Sequence, residues 1–147
     1  MAGSATISTN GNTVTVNQGT DRSIIDWNSF SINSGELTKF LQPSTGSANL
    51  SRVTGGDMSS ILGSLQSNGH VFLINPNGIV VGGGAQINTA GFLATTLDVS
   101  NAQFMAGGKL EFSGNSNASV INNGTITTSD GGAFLFARNV QNNGTIT

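Results

Sequence analysis

The segment Val120-Ile121-Asn122-Asn123-Gly124-Thr125-Ile126-Thr127 returns as Val140-Gln141-Asn142-Asn143-Gly144-Thr145-Ile146-Thr147, identical at seven of eight positions after 20 residues. A period that short excludes stacked helix pairs, which take more than ~30 residues per repeat, and suits one coil of a β-solenoid. Each copy sets β-branched residues on both sides of an Asn-Asn-Gly turn, so the unit is strand, turn, strand. The fold expected is all-β: a right-handed parallel β-helix of about 20 residues per coil, with an N-terminal β cap and at most one short helix. One domain is expected over 1–147, with the cap and first strands in 1–45 and the coils in 46–147, the last of them cut short.

The one mismatch between the copies assigns faces. Gln141 stands where the first copy has Ile121, and a dry interior would leave its amide without partners, so this position faces out. Period-2 alternation then turns Val120 and Val140 inward, with Ile126 and Ile146 inward on the next strand and Thr125, Thr127, Thr145 and Thr147 outward. Asn122 over Asn142 and Asn123 over Asn143 are expected to form amide ladders between coils. In Ala133-Phe134-Leu135-Phe136-Ala137 both faces are apolar, and the pattern fixes no register.

Earlier in the chain, Asn10-Gly11 between Thr6–Thr9 and Thr13–Val16 predicts a hairpin with a type I′ turn. Ile24 to Ile32 gathers the only Trp with Ile and Phe, and Leu37 to Gln42 reads as a strand stopped by Pro43. The helix candidate is Asp57 to Leu65, where Asp57 is an N-cap, Ile61, Leu62 and Leu65 share a face, and Gly69 closes the end. Beyond it, β-rich runs alternate with Gly or Asn corners: His70–Ile74, Ile79–Val81, Ala85–Asn88, Gly91–Thr96, Lys109–Phe112, Val120–Ile121, Thr125–Thr128 and Ala133–Ala137.

Charged residues make up 8% of the chain and the net charge is -2, so neutral Gly, Asn, Ser and Thr carry its polarity, while 36% hydrophobic residues suffice to close a core. The absence of cysteine excludes disulfides, Cys-based zinc sites and a thiol nucleophile, and leaves an unlinked polypeptide able to thread a membrane unfolded. No apolar run reaches the ~20 residues of a membrane helix. Met1-Ala2-Gly3-Ser4 has no basic or apolar leader character, and a signal peptide, had the precursor one, is expected to have been removed. Arg22, Lys39, Arg52, Lys109 and Arg138 are scattered, which argues against nucleic acid as a partner.

Asn75-Pro76-Asn77-Gly78 is a corner sequence: Pro76 fixes φ, and Asn77 or Gly78 takes the left-handed position. It follows Gly69-His70-Val71-Phe72-Leu73-Ile74 and precedes Ile79-Val80-Val81-Gly82. With Gly19 to Phe30, Arg52-Val53-Thr54-Gly55-Gly56-Asp57, Ser60-Ile61-Leu62-Gly63 and Ala94-Thr95-Thr96-Leu97-Asp98, it forms an ordered set that covers nearly the whole chain. In this set the chain resembles the haemagglutination-activity domain, the N-terminal secretion domain of two-partner secretion exoproteins of the filamentous haemagglutinin and high-molecular-weight adhesin type. The resemblance implies a capped right-handed β-helix that is recognised in the periplasm by the POTRA modules of a dedicated outer-membrane β-barrel transporter. It implies no enzymatic activity and no cofactor, and a product secreted from, or held at the surface of, a Gram-negative bacterium. A second family signature falls at Ser47-Ala48-Asn49-Leu50, where Asn49 and Leu50 match and the first two positions do not; Met58 stands where relatives often carry Pro. The candidate recognition or motif residues are therefore Asn49, Leu50, Asn75, Pro76, Asn77 and Gly78; for the last four, shaping a corner accounts for most of the constraint and contact with the transporter for the rest.

Candidate chemistry outside this set is sparse. His70 is a strand-edge residue rather than a ligand, and Asp21 with Asp26, or Asp98 with Glu111, read as cap or turn partners rather than acid-base pairs. No nucleophile elbow, phosphate loop or calcium loop occurs, and Gly82-Gly83-Gly84 is a corner with no helix after it. Asn-x-Ser/Thr triplets stand at Asn49, Asn117, Asn123 and Asn143. The leading expectation is a secretion and folding-nucleation module at the head of an adhesin or toxin stalk, whose remainder supplies any host-receptor contact. The alternative is glycan or host-surface binding by the segment itself, through its outward Thr rows; an ice-binding array and a β-helix lyase follow at a distance.

Overall fold

The computed structural model describes residues 2–147, and fourteen strands and one helix account for most of them. The chain opens on an antiparallel hairpin, β1 (Ala5–Asn10) and β2 (Thr13–Gln18), with Asn10 opposite Thr13. The loop is Gly11-Asn12, and among the described non-glycine residues none has positive φ while Gly11 has φ 59°. A left-handed residue at the first loop position alone is the type II′ pattern, so the expected type I′ turn over Asn10-Gly11 is displaced by one residue.

Parallel coils follow. β3 (Arg22–Trp27), β4 (Leu37–Leu41), β5 (Ala48–Val53), β6 (Ser59–Ile61), β7 (Ser64–Ser67), β8 (His70–Ile74) and β9 (Ile79–Val81) lead to the long β10 (Gln86–Thr95). After an excursion containing α1 (Asn101–Ala106) come β11 (Ser119–Asn122), β12 (Thr125–Phe136), β13 (Asn139–Asn142) and β14 (Thr145–Ile146). Three stacks run along the axis: β2-β4-β7-β10-β12-β14, β3-β5-β8-β10-β12, and β6-β9-β11-β13, each pair parallel. Pairing offsets show the pitch: Val120 lies beside Val140 after 20 residues, whereas Ile79 lies beside Val120 after 41, because residues 97–118 leave the spiral between them. The expected parallel β-solenoid is thus present, with one short helix and about six turns.

Inward residues of the three stacks make one continuous core. Val16, Phe40, Leu65, Ile87 and Ile126 line one wall, Ile25, Leu73 and Ala94 the second, and Ile61, Ile79, Val81 and Val120 the third. Trp27 and Phe30 pack edge to face at 5.2 Å in the first coil. The faces assigned from the repeat hold: Val120 and Ile126 are fully buried, and their copies Val140 and Ile146 stack on them in register. Both amide ladders form, Asn122 Nδ2 donating to Asn142 Oδ1 at 2.9 Å and Asn143 Nδ2 to Asn123 Oδ1 at 3.0 Å. Ala133 and Leu135 turn toward the core, and Phe134 and Phe136 stand outside it.

The helix expected over Asp57 to Leu65 is not there. That stretch is β6, a tight corner and β7, with Ser59, Ile61 and Leu65 inward. A Cβ on Gly63 would sit 2.3 Å from the Glu36 carbonyl oxygen, so the corner passes too close to the previous coil for a helix to form. Ladder bonds to β4, β9 and β10 outweigh a helix propensity worth tenths of a kcal/mol per residue. Lys109–Phe112, read as β-rich, lies in the excursion outside any strand.

Candidate functional site

The Asn-Pro-Asn-Gly corner joins β8 to β9, and its side chains tie coils together. Asn75 is 0% exposed. Its Nδ2 donates to the Asp57 carbonyl at 3.0 Å and to Ser59 Oγ at 2.9 Å in the preceding coil, while its backbone N–H donates to the Thr95 carbonyl in the following one. Its Oδ1 accepts from the Asn77 N–H at 2.9 Å, an Asx turn that sets the corner, and its carbonyl accepts from the Gly78 N–H. Asn77 Nδ2 reaches back to the Gly55 carbonyl at 2.8 Å, and Ser116 Oγ donates to the Pro76 carbonyl from the excursion. Gly78, at φ 110°, takes the conformation that the corner demands and an L side chain resists. Only Pro76 is fully exposed; Asn77 is half-buried and Gly78 buried.

Asn49 and Leu50 sit on β5, one coil earlier, and look to opposite sides. Asn49 points into the core, where Nδ2 donates to Ser23 Oγ at 2.9 Å and Oδ1 accepts from Ser51 Oγ at 2.6 Å. This satisfied polar column inside an apolar barrel is what permits inward Ser and Asn on β3 and β5. Leu50 faces the outer side, and no hydrogen bond among the described residues links either of them to the corner.

That outer side carries a second core, which sequence reasoning missed. Ile24, Ala48, Leu50 and Ile74 on the outside of β3, β5 and β8 are covered by Val99 and Phe104 of the excursion, with Phe72, Met105, Leu110 and Phe112 around them. Two arginines fasten the cover. Arg52, with its side chain 14% exposed, donates to Asp98 at 2.9 Å, to Asn101 Oδ1 at 2.7 Å and to the Val99 carbonyl at 2.7 Å, and also meets Asp26 at 3.4 Å. Arg22 donates to the Phe104 carbonyl at 3.1 Å with its guanidinium 5.3 Å from that ring's centre. The signal for α1 was present: Ser100-Asn101-Ala102-Gln103 is a capping sequence, Ser100 Oγ accepts from the Gln103 N–H, and Gly107 ends the helix.

The remaining candidates do not assemble chemistry. Asp21 accepts from Ser47 Oγ, Asp98 holds Arg52 and the Val99 N–H, and Glu111 accepts from Gln103, so the acids named in pairs serve separate contacts. The His70 ring lies against Gly91 and Gly131 of two later coils, where a side chain would collide with it. It borders an apolar groove of about 210 Å³ lined by Phe72, Leu93, Leu110, Phe134 and Phe136. No group of three His, Cys, Asp or Glu positioned to hold a metal ion occurs among the described residues.

Known proteins share this arrangement. Over 97% of the chain, the structure superposes on the secretion domain of HMW1 from Haemophilus influenzae with a TM-score of 0.87 and 40% identity, covering 39% of that domain's chain. The Heme/hemopexin-binding protein of H. influenzae Rd is 46% identical over 99 residues, 67% of this chain, and a second Heme/hemopexin-binding protein from H. influenzae is 48% identical over 86 residues. The chain spans about a tenth of either protein's length, 11% and 9%. The model of the TPS secretion domain matches residues 2–147, from the hairpin to the last coil. The chain therefore belongs to the family of TPS secretion domains.

Proposed function

We propose that this domain directs a large exported protein to its transporter: the POTRA modules of an outer-membrane β-barrel bind it in the periplasm, and its coils then nucleate folding at the cell surface. The observation that carries the reading is the match to the TPS secretion domain over residues 2–147. The stack supplies a mechanism, since every coil from β4 onward lies in parallel register on the one before. A coil that docks on such a template releases free energy outside the membrane and opposes backward sliding of the unfolded chain. The partner is a two-partner secretion transporter, and the exported protein is an adhesin or toxin stalk, secreted or surface-held. Asn49, Leu50, Asn75 and Gly78, all buried, act by holding the surface in shape, and Pro76 and Asn77 are the motif residues a partner can touch.

The test is export of a reporter fused after residue 147, in cells carrying the cognate transporter. Deletion of residues 1–96 abolishes export, and Asn75→Ala or Asn77→Ala reduces it. Undiminished export of the deletion variant overturns the reading.

A further inference from the structure

Five Asn-Gly pairs occur in the chain, at Asn10, Asn68, Asn77, Asn123 and Asn143, and the structure treats one of them differently. Asn-Gly is the dipeptide most open to loss of its side-chain amide, because a glycine at the second position leaves the attacking backbone nitrogen unshielded. In four pairs that nitrogen is engaged. The Gly69 N–H donates to Ser67 Oγ at 3.0 Å, the Gly78 N–H to the Asn75 carbonyl at 3.1 Å, the Gly124 N–H to Asn122 Oδ1 at 3.1 Å, and the Gly144 N–H to the Asn122 carbonyl at 3.0 Å. The asparagine side chains of these pairs are engaged too, Asn68 on the backbone of Gln42, Asn77 on Gly55, and Asn123 with Asn143 in their ladder. At the tip of the β1–β2 hairpin neither the Gly11 N–H nor the Asn10 side chain has a hydrogen-bond partner among the described residues, and both residues are exposed. A Cβ built on Gly11 would meet nothing within 4 Å, so the tip has room to move. β1 is an edge strand that pairs with β2 alone, and opening its end disturbs no coil.

We propose that Asn10 is a site of spontaneous deamidation and isomerisation in the folded protein. Fraying of the tip brings the Gly11 nitrogen onto Cγ of Asn10. The N–Cγ bond forms as the Cγ–Nδ2 bond breaks, the amide proton leaves with ammonia, and a five-membered succinimide remains. Water then opens the ring at either carbonyl, leaving aspartate or isoaspartate at this position. No oxidant or enzyme takes part. Either product adds one negative charge to a chain of net charge -2. Isoaspartate also inserts a backbone methylene where Asn10 pairs with Thr13, which breaks the register that closes the hairpin.

The experiment incubates the whole chain at mildly alkaline pH, folded and in denaturant, and follows all five pairs by peptide mapping, with enzymatic methylation to count isoaspartate. In the folded chain Asn10 converts about tenfold or more faster than the other four, a ratio equal to a barrier difference of about 1.4 kcal/mol. In denaturant the five rates converge. The variant Asn10→Gln, which would need a strained six-membered ring, removes the early acidic species and leaves the other four sites unchanged. Conversion of Asn68, Asn77, Asn123 or Asn143 at the rate of Asn10 in the folded chain overturns the proposal, as does an Asn10 that stays intact while the denatured chain converts.

Discussion

At the scale of single residues, the family motif works mainly from inside. Asn75 offers its two amide protons to the coil before, its backbone to the coil after and its oxygen to its own corner. Asn75→Ala leaves the Asn77 N–H without a partner and the Asp57 carbonyl with only the longer bond from Asn77 Nδ2 at 3.4 Å, in a closed corner, and is expected to cost about 3 kcal/mol in urea unfolding. Pro76→Ala, at the exposed second position of the same turn, costs about 1 kcal/mol or less, through the entropy of the unfolded chain. Export assays separate shape from contact on this pair: a loss with Pro76→Ala at unchanged stability marks a surface that the transporter reads. The corner was legible in the sequence because Pro, Asn and Gly each restrict the backbone in a known way. The inward Asn49 was not, since alternation places polar residues outward and says nothing of a Ser23–Asn49–Ser51 column that satisfies itself within the core.

Among the elements, the excursion of residues 97–118 is where sequence and structure part most. The last coils repeat with little drift, so their pitch, their faces and both ladders could be read from eight residues compared with eight. The middle coils share the architecture without sharing residues, with offsets of 22 from Ala48 to His70 and 21 from His70 to Gly91, and no periodicity search over so few coils finds them. The segment from Asp57 to Leu65 was misread for a related reason. Ile61 and Leu65, four apart, suit one face of a helix, and suit equally two strands that turn at Gly63. The true helix is six residues long and owes its place to Phe104, fully buried on Ile24 and Leu50. Phe104→Ala is expected to cost about 3 kcal/mol and to release the cover. Hydrogen exchange should then rise across 98–112 and stay slow in β5 and β8, whereas a uniform rise would show that the cover and the coils unfold as one unit. Arg52→Ala acts in the same direction but less, because Asp98 is 63% exposed and water screens much of that pair.

For the whole molecule, stability follows position in the stack. A solenoid coil touches only its neighbours, so its free energy is an intrinsic term plus two interfaces, and a coil with one interface is the first to open. Ile126 is covered on both sides and 0% exposed, whereas Ile146, its copy one coil later, is 37% exposed. Ile126→Ala is expected to cost about 3 kcal/mol of global stability, and Ile146→Ala about 1 kcal/mol or less, since an exposed site neither loses full transfer energy nor leaves a cavity. The same asymmetry predicts that amide protection falls from β8 and β10 through β12 to β13 and β14. Its functional meaning lies in direction. If folding at the cell surface spreads from the capped hairpin end, protection must appear first in β2 to β8 when the denatured chain is returned to buffer, with β13 and β14 last. Pulse-labelled refolding reads that order directly, and protection that arises first in the final coils would place the nucleus at the wrong end for a module that leads its polypeptide out of the cell.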